Sequence, residues 1–166
     1  MHRFPEVTMA GLMNPVQPTS KVKLSAEEEA ELAAYRLTTG ELCQPSEHVF
    51  QCILKASGDF QVQGRGKRTY KDAVKGGLLV YPDFIPHQQT KYDILAAPVR
   101  IQRARIVRHR PWLKEWQLSF RLDILDEGFL PLDVLNGILV RAGQTVGIGD
   151  WRPRYGRFVV TKWETV

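Results

Sequence analysis

Between Trp116 and Ile124 the chain alternates without a break. Trp116, Leu118, Phe120, Leu122 and Ile124 are apolar, and Gln117, Ser119, Arg121 and Asp123 between them are polar. Successive side chains of an extended strand point to opposite faces, so this run predicts a strand buried on one side only. A half-buried strand needs cover, and the sequence after it supplies one. Pro131 stands at a helix start, and Leu132, Leu135, Ile138, Leu139 and Ala142 form an apolar stripe at helical spacing, with Gly143 as the predicted stop. The segment Gly147 to Gly156 reads as a loop, and Arg157 to Trp163 as a final strand.

The earlier sequence adds the remaining elements. Val7 to Met13 reads as a strand, and Asn14 to Lys21, with two prolines, as a loop. Ser25 followed by Glu28 is a capping-box signature and predicts a helix from Ala26 to about Arg36. Gln44-Pro45-Ser46-Glu47 opens a second helix, in which Val49, Phe50, Ile53, Leu54 and Ala56 share a face and Gly58 marks the end. Leu78 to Tyr81 reads as a short buried strand, and Pro82 to Pro98 as a long loop. Val99 and Ile101 alternate with Arg100 and Gln102, but the apolar phase then shifts to Ala104 and Ile106. That shift predicts a bulge near Gln102-Arg103. Arg110 to Lys114 would then join this strand to Trp116–Ile124 as an antiparallel hairpin. Without its insertions the order is βαββαβ. This predicts an α+β chain of ferredoxin-like (RRM-like) form, with one antiparallel sheet and both helices on one face. The 166 residues read as one domain, 1–166, with the extra helix Ala26–Arg36 and residues 61–98 as additions.

Composition narrows the function. A chain of 166 residues buries roughly 70% of its unfolded surface and needs no metal or disulfide staple. No apolar run approaches the ~20 residues that span a bilayer, and the N-terminus lacks a charged-then-apolar signal pattern, so no membrane partner and a cytoplasmic location are expected. Cys43 and Cys52 match no zinc or redox spacing and read as reduced thiols, with Cys52 packed on a helix. There are 23 Lys and Arg against 18 Asp and Glu, a formal net charge of +5. Their distribution says more than the total, because the cations gather in three places.

The first is the loop around Gly147, Gly149 and Gly156. It holds Arg152 and Arg154 with Trp151 and Tyr155 interleaved. Glycines let main chain approach a ligand, guanidinium groups neutralise phosphate, and aromatic rings stack on unpaired bases. A turn that uses glycine only for its own geometry is the alternative. The second place is the arginine strand with Arg100, Arg103, Arg105 and Arg108, read as a phosphate track. By parity along a single strand without a bulge, Arg103 and Arg105 share one side, while Arg100, Arg108 and Arg110 share the other; a bulge would realign some of them. Charge that blocks edge aggregation is the alternative here. The third is Gly64 to Lys75, with Lys67 and Arg68, read either as an arm that orders on a polyanion or as a mobile solvated loop. No P-loop, nucleophile elbow or metal-spacing motif is present, and no cofactor is expected. His48 and His109 are the only general acid/base candidates. Asp123, Asp126, Glu127 and Asp133 could hold Mg²⁺ in principle but read better as strand-end and helix N-terminal charges.

The segment Gly147-Ile148-Gly149-Asp150-Trp151-Arg152-Pro153-Arg154-Tyr155-Gly156-Arg157-Phe158 resembles the C-terminal glycine-rich loop of the RAMP superfamily, the repeat-associated RNA-binding proteins of CRISPR systems. Leu42 to Ala56, with Gln44-Pro45-Ser46 opening the helix, is similar to the first-helix entry of that family. The whole layout also resembles small proteins of tailed phages and prophages that share an arginine-rich strand, a Trp- or Phe-containing hairpin and a G-x-G-D-x-R-P-R-x-G-R-F ending. The resemblance covers most of the chain from Glu41 onward. It implies that Gly147, Gly149, Arg152, Arg154 and Gly156 contact RNA, and that self-association or a RAMP-like protein partner accompanies binding. The expectation is therefore a non-enzymatic binder of single-stranded RNA or DNA, of phage or prophage origin. Two alternatives remain: an interaction protein that inhibits a host defence complex, and a metal-independent endoribonuclease using His48 or His109.

Overall fold

The computed structural model describes residues 24–101 and 104–165. The strand expected at Val7–Met13 and the loop Asn14–Lys21 lie outside them, as do Gln102 and Arg103. The described chain is α+β, with four helices and six short strands. Ser25 caps α1 (Ala26–Ala33) as its sequence predicts. Its hydroxyl accepts from the Glu28 N–H at 3.1 Å, while the Glu28 carboxylate accepts from the Ser25 N–H at 2.8 Å. The helix ends three residues earlier than expected, because Ala34 turns extended and Arg36 joins a bridge to Leu42. Strand β1 (Cys43–Pro45) leads straight into α2 (Ser46–Ala56), which finishes in a single tight turn at Ser57–Asp59.

The strand expected at Leu78–Tyr81 forms, but Pro82–Pro98, expected as a long loop, holds one strand and the start of another. Helix α3 (Lys71–Gly77) and strand β2 (Leu78–Tyr81) follow a bridged turn, and β3 (Phe84–Pro86) pairs antiparallel with β1. The arginine strand is also different from expectation. The strands β4 (Asp93–Ile101) and β5 (Ala104–Trp112) pair along their whole length, with Ile101 opposite Ala104. The apolar phase shift read as a bulge is thus a reversal of direction, and the expected hairpin across Arg110–Lys114 does not form. A shift of phase marks a bulge and a two-residue reversal alike, and only the pairing distinguishes them.

Strand β6 (Arg121–Ile124) pairs antiparallel with β2, and α4 (Leu132–Thr145) follows it. The described strands therefore make three two-stranded antiparallel sheets (β1–β3, β2–β6 and β4–β5), and a four-stranded ferredoxin-like sheet is not formed among them. The period-two signal was nevertheless physical. Trp116, Leu118, Phe120, Leu122 and Ile124 all pack against the core, although only the last four positions of that run have a ladder partner. Phe158, Val160 and Trp163 do the same from the last segment, which was expected to be a strand and carries no ladder. An extended chain can bury alternate side chains without donating its backbone to a sheet.

The core lies between α2 and α4 and on the inner face of β2–β6. Val49 and Ile53 of α2 meet Leu135, Ile138 and Leu139 of α4, with Leu78 and Val80 beneath them. Leu79 and Tyr81 alternate outward and are exposed. Cys52 is buried on α2 as expected, and its S–H points at the Ala142 carbonyl at 3.6 Å. Burial pushes this thiol up to about 11, and both cysteines are free thiols. No helix among the described residues is long and apolar enough to cross a membrane.

Gly143 does not stop α4, which runs on to Thr145. Its lack of a side chain serves another purpose. A Cβ there would collide with the Phe158 carbonyl and its ring, and the Phe158 N–H donates to the Gly143 carbonyl at 3.2 Å. This is the seam that holds the C-terminal segment against α4. Gly143→Ala is expected to cost about 1–3 kcal/mol, the usual penalty for forcing atoms into a filled site, and urea unfolding monitored by tryptophan emission measures it.

Candidate nucleic-acid interface

The loop that follows α4 is built on two close backbone approaches. The Ile148 N–H donates to the Gly156 carbonyl at 2.9 Å, and Gly147 and Gly156 both have positive φ, 73° and 75°. A Cβ on Gly156 would run into the Ile148 carbonyl, and one on Gly147 would lie 2.9 Å from the Gly156 oxygen. These two glycines are required by the loop itself. Gly149 differs: its φ is 98° and a Cβ there would meet open space. The closure makes residues 149–155 a bounded loop, and the Tyr155 N–H donates to the Trp151 carbonyl at 3.0 Å within it.

That short turn stacks Trp151 on Tyr155, with ring centroids 6.1 Å apart and planes 30° from parallel. Trp112, at the end of β5, meets Tyr155 edge-on at 6.4 Å. The cations stand beside these rings. The Arg154 guanidinium lies 5.7 Å from the Tyr155 centroid, and the Lys114 ammonium lies 5.4 Å from that of Trp112. Arg152 donates to the Gly149 carbonyl at 3.0 Å. Arg110 Nε donates to Asp150 at 2.8 Å, which ties the hairpin to the loop. The result is a strip of three aromatic rings flanked by Lys114 and Arg154, with Arg152 on the same loop and near enough to His48 to lower its pKa. Trp112 and Lys114 were missed from the sequence. In the sequence they fall in the expected connection between two strands, and a tryptophan two residues from a lysine after an arginine run is the available signal.

The other predicted cations are not brought to this strip. Arg105 is seven residues along β5 from Trp112, about 24 Å at ~3.4 Å per residue. Arg100 is opposite Arg105 in the ladder, so these two share one face of the hairpin. Arg108 and Arg110 share the other, which corrects the single-strand parity that grouped them with Arg100. Arg103 lies outside the described residues. Arg108 is held by a carboxylate: Glu29 of α1 accepts from its Nη1 at 2.9 Å and from the His109 backbone N–H at 3.2 Å, with His109 Nδ1 at 2.8 Å. Lys67 and Arg68 are exposed in the turn before α3, where Arg68 is 4.0 Å from Asp72. The far wall of that turn includes Phe129, just before α4, whereas the strip follows its other end. The helix between them is 14 residues, about 21 Å long.

Both histidines considered as catalysts are engaged. His109 faces Glu29, and His48 contacts the Gln44 amide and meets Tyr35 edge-on at 5.5 Å. Burial lowers the His48 pKa, with Arg152 lowering it further and Asp150 opposing. Among the described residues no group of three or more His, Cys, Asp or Glu side chains is arranged to hold a metal. No protein-family model matches the chain, no curated protein matches it, and no solved structure matches its fold.

The ion pairs of α1 predict a pH profile. The hydrogen bonds from Arg108 and His109 hold Glu29 at about 2, and those from Arg36 and Tyr92 hold Glu31 at about 2, against an ordinary 4.5. The folded state thus favours both carboxylates ionised, and the stability they contribute above pH 4.5 is lost as pH falls toward 2. Burial also lowers His48 and His87 below 6.5, so the unfolded chain takes up protons first and stability starts to fall below pH 6.5. Urea midpoints measured from pH 8 to pH 2 are expected to drop in these two windows. Glu29→Gln is expected to make the lower window shallower, with Glu31 still contributing, and to leave the upper one in place.

Proposed function

We propose that this chain is a non-enzymatic protein that binds single-stranded nucleic acid through the strip of Trp112, Tyr155 and Trp151, with Lys114, Arg152 and Arg154 on phosphates. The observation that carries the reading is the stacked Trp151–Tyr155 pair with a guanidinium beside it on a loop closed by its own backbone. Alternating rings and cations suit an unpaired strand, whose bases offer flat faces and whose phosphates follow at regular spacing. The RAMP-like reading belongs to the same proposal. It is supported by the glycine-rich loop after the last helix, and by the β2–β6 pair with α2 and α4 on one side and an open outer face. A phage or prophage source, a bacterial cytoplasmic setting, and self-association or a RAMP-like partner go with that resemblance. Lys67, Arg68, Arg100 and Arg105 would then meet more distant parts of a bound strand.

Fluorescence anisotropy with labelled single-stranded RNA and DNA at two salt concentrations tests the proposal. Affinity is expected to fall steeply with salt as counterions are released. Arg152→Ala and Arg154→Ala should each reduce the log–log salt slope by about 0.7 if each guanidinium meets one phosphate. Tyr155→Ala should cost about 1–3 kcal/mol with the slope unchanged. Absence of binding to both polymers at low salt removes the reading. Capture of a protein partner that survives nuclease treatment would then favour the interaction-protein alternative, and cleavage abolished by His48→Ala or His109→Ala the endoribonuclease.

A further inference from the structure

A second basic cluster is closed by a residue from far along the chain. The turn before α3 is well organised. The Val62 N–H donates to the Arg68 carbonyl at 2.8 Å, the Tyr70 N–H to the Phe60 carbonyl at 3.0 Å, and Gln61 bridges Thr69. Gly64 and Gly66 take φ of 72° and 61°, which lets the chain double back. Arg65, Arg68, Thr69 and Tyr70 line an open depression on the inner side of the turn, and Gly128 and Phe129 form the opposite wall. Phe129 is 46% exposed, a large ring facing water across the depression that Arg65 and Arg68 also line.

The charges in the depression are not neutralised by the fold. Among the described residues Arg65 has no ion pair, and Arg68 has only the loose 4.0 Å contact with Asp72, itself largely exposed. Neither acid that precedes the far wall, Asp126 or Glu127, lines the depression, and the Asp126 carboxylate accepts from the Gly128 N–H at 2.9 Å within its own loop. Asp72 does line the depression, so two cations face one anion there. Two guanidinium groups and a threonine hydroxyl suit a phosphate monoester, and an exposed phenyl ring suits a flat heterocycle.

We infer that the Arg65–Arg68 turn and Phe129 form a nucleotide pocket, with a terminal phosphate between Arg65 and Arg68 and the base against the Phe129 ring. The pocket shares no residue with the aromatic strip and lies at the other end of α4, so it stands or falls separately from the strip. Its ligand is either a free nucleoside monophosphate or the phosphorylated end of a strand, since both present the same group.

Isothermal titration of the full chain with adenosine 5′-monophosphate, adenosine and inorganic phosphate tests this. The monophosphate is expected to bind at least tenfold more tightly than adenosine. The Arg65→Ala/Arg68→Ala double variant, changed only at exposed positions, should keep its thermal midpoint and lose monophosphate binding. Phe129→Ala should weaken the monophosphate about tenfold and leave inorganic phosphate unchanged. Equal binding of adenosine and its monophosphate, or full binding by the double variant, overturns the inference. A 5′-phosphorylated oligonucleotide that displaces the monophosphate where its 5′-hydroxyl counterpart does not identifies strand ends as the source. No displacement by either identifies free nucleotides. Tyr155→Ala should bind the monophosphate as the unmodified chain does, whatever its effect on the strip.

Discussion

The burial of α4 between α2 and the C-terminal segment fixes where the chemistry of this protein sits. Leu135, Ile138, Leu139 and Ala142 are almost fully removed from water, and Gly143 lets Phe158 close over the last turns. Because the helix cannot shift, neither can its two ends. One end delivers Val146 and Ile148 to the core and starts the closed loop with the stacked rings. The other follows Leu130, also buried, and leaves Phe129 beside the arginine turn. Hydrophobic burial of this kind is non-directional, but once packed at interior density it holds polar groups at its edges in fixed places.

The strip depends on a second arrangement. Trp112 and Lys114 come from the hairpin and its exit, so the hairpin must be anchored at its base. Arg110 to Asp150 ties it to the loop, while Lys114 to Asp93 at 2.8 Å closes the open end of the hairpin itself. Both pairs are substantially exposed and contribute little stability by themselves. The role of the Arg110–Asp150 pair is orientation, since it joins the strand of Trp112 to the loop of Tyr155. Arg110 is thereby spent on the fold, as Arg108 is on Glu29, which leaves fewer cations for phosphate than the count in the arginine strand suggests.

The sequence was legible where one physical cause produces one pattern. The capping box at Ser25 and the apolar stripes of α2 and α4 follow from local geometry and are readable, whereas Leu78–Tyr81, which reads as a buried strand, is buried only at Leu78 and Val80. The alternating run from Trp116 correctly gave burial, but it could not give partners, because side-chain period carries no information about which strand completes the ladder. The same gap hid the hairpin: an arginine-rich stretch with a phase shift was read as one strand, and its reversal moved Arg100 to the face of Arg105. The glycine loop was found from its composition, yet two of its three glycines answer to a backbone contact between residues eight and nine apart, which no spacing rule exposes. Trp112 and Phe129 were invisible as site residues because each gains its neighbours only through tertiary packing.

The grip of Glu29 on β5 has one more consequence. A two-stranded ribbon has an unsatisfied rim on each side, and here the carboxylate takes the His109 amide hydrogen that would otherwise be offered outward. Helix α1 therefore works as a guard rail along that rim. A chain shortened past Ser25–Ala33 would keep its main hydrophobic interior but present a bare strand margin to its neighbours, an invitation to ribbon-to-ribbon polymerisation rather than to unfolding.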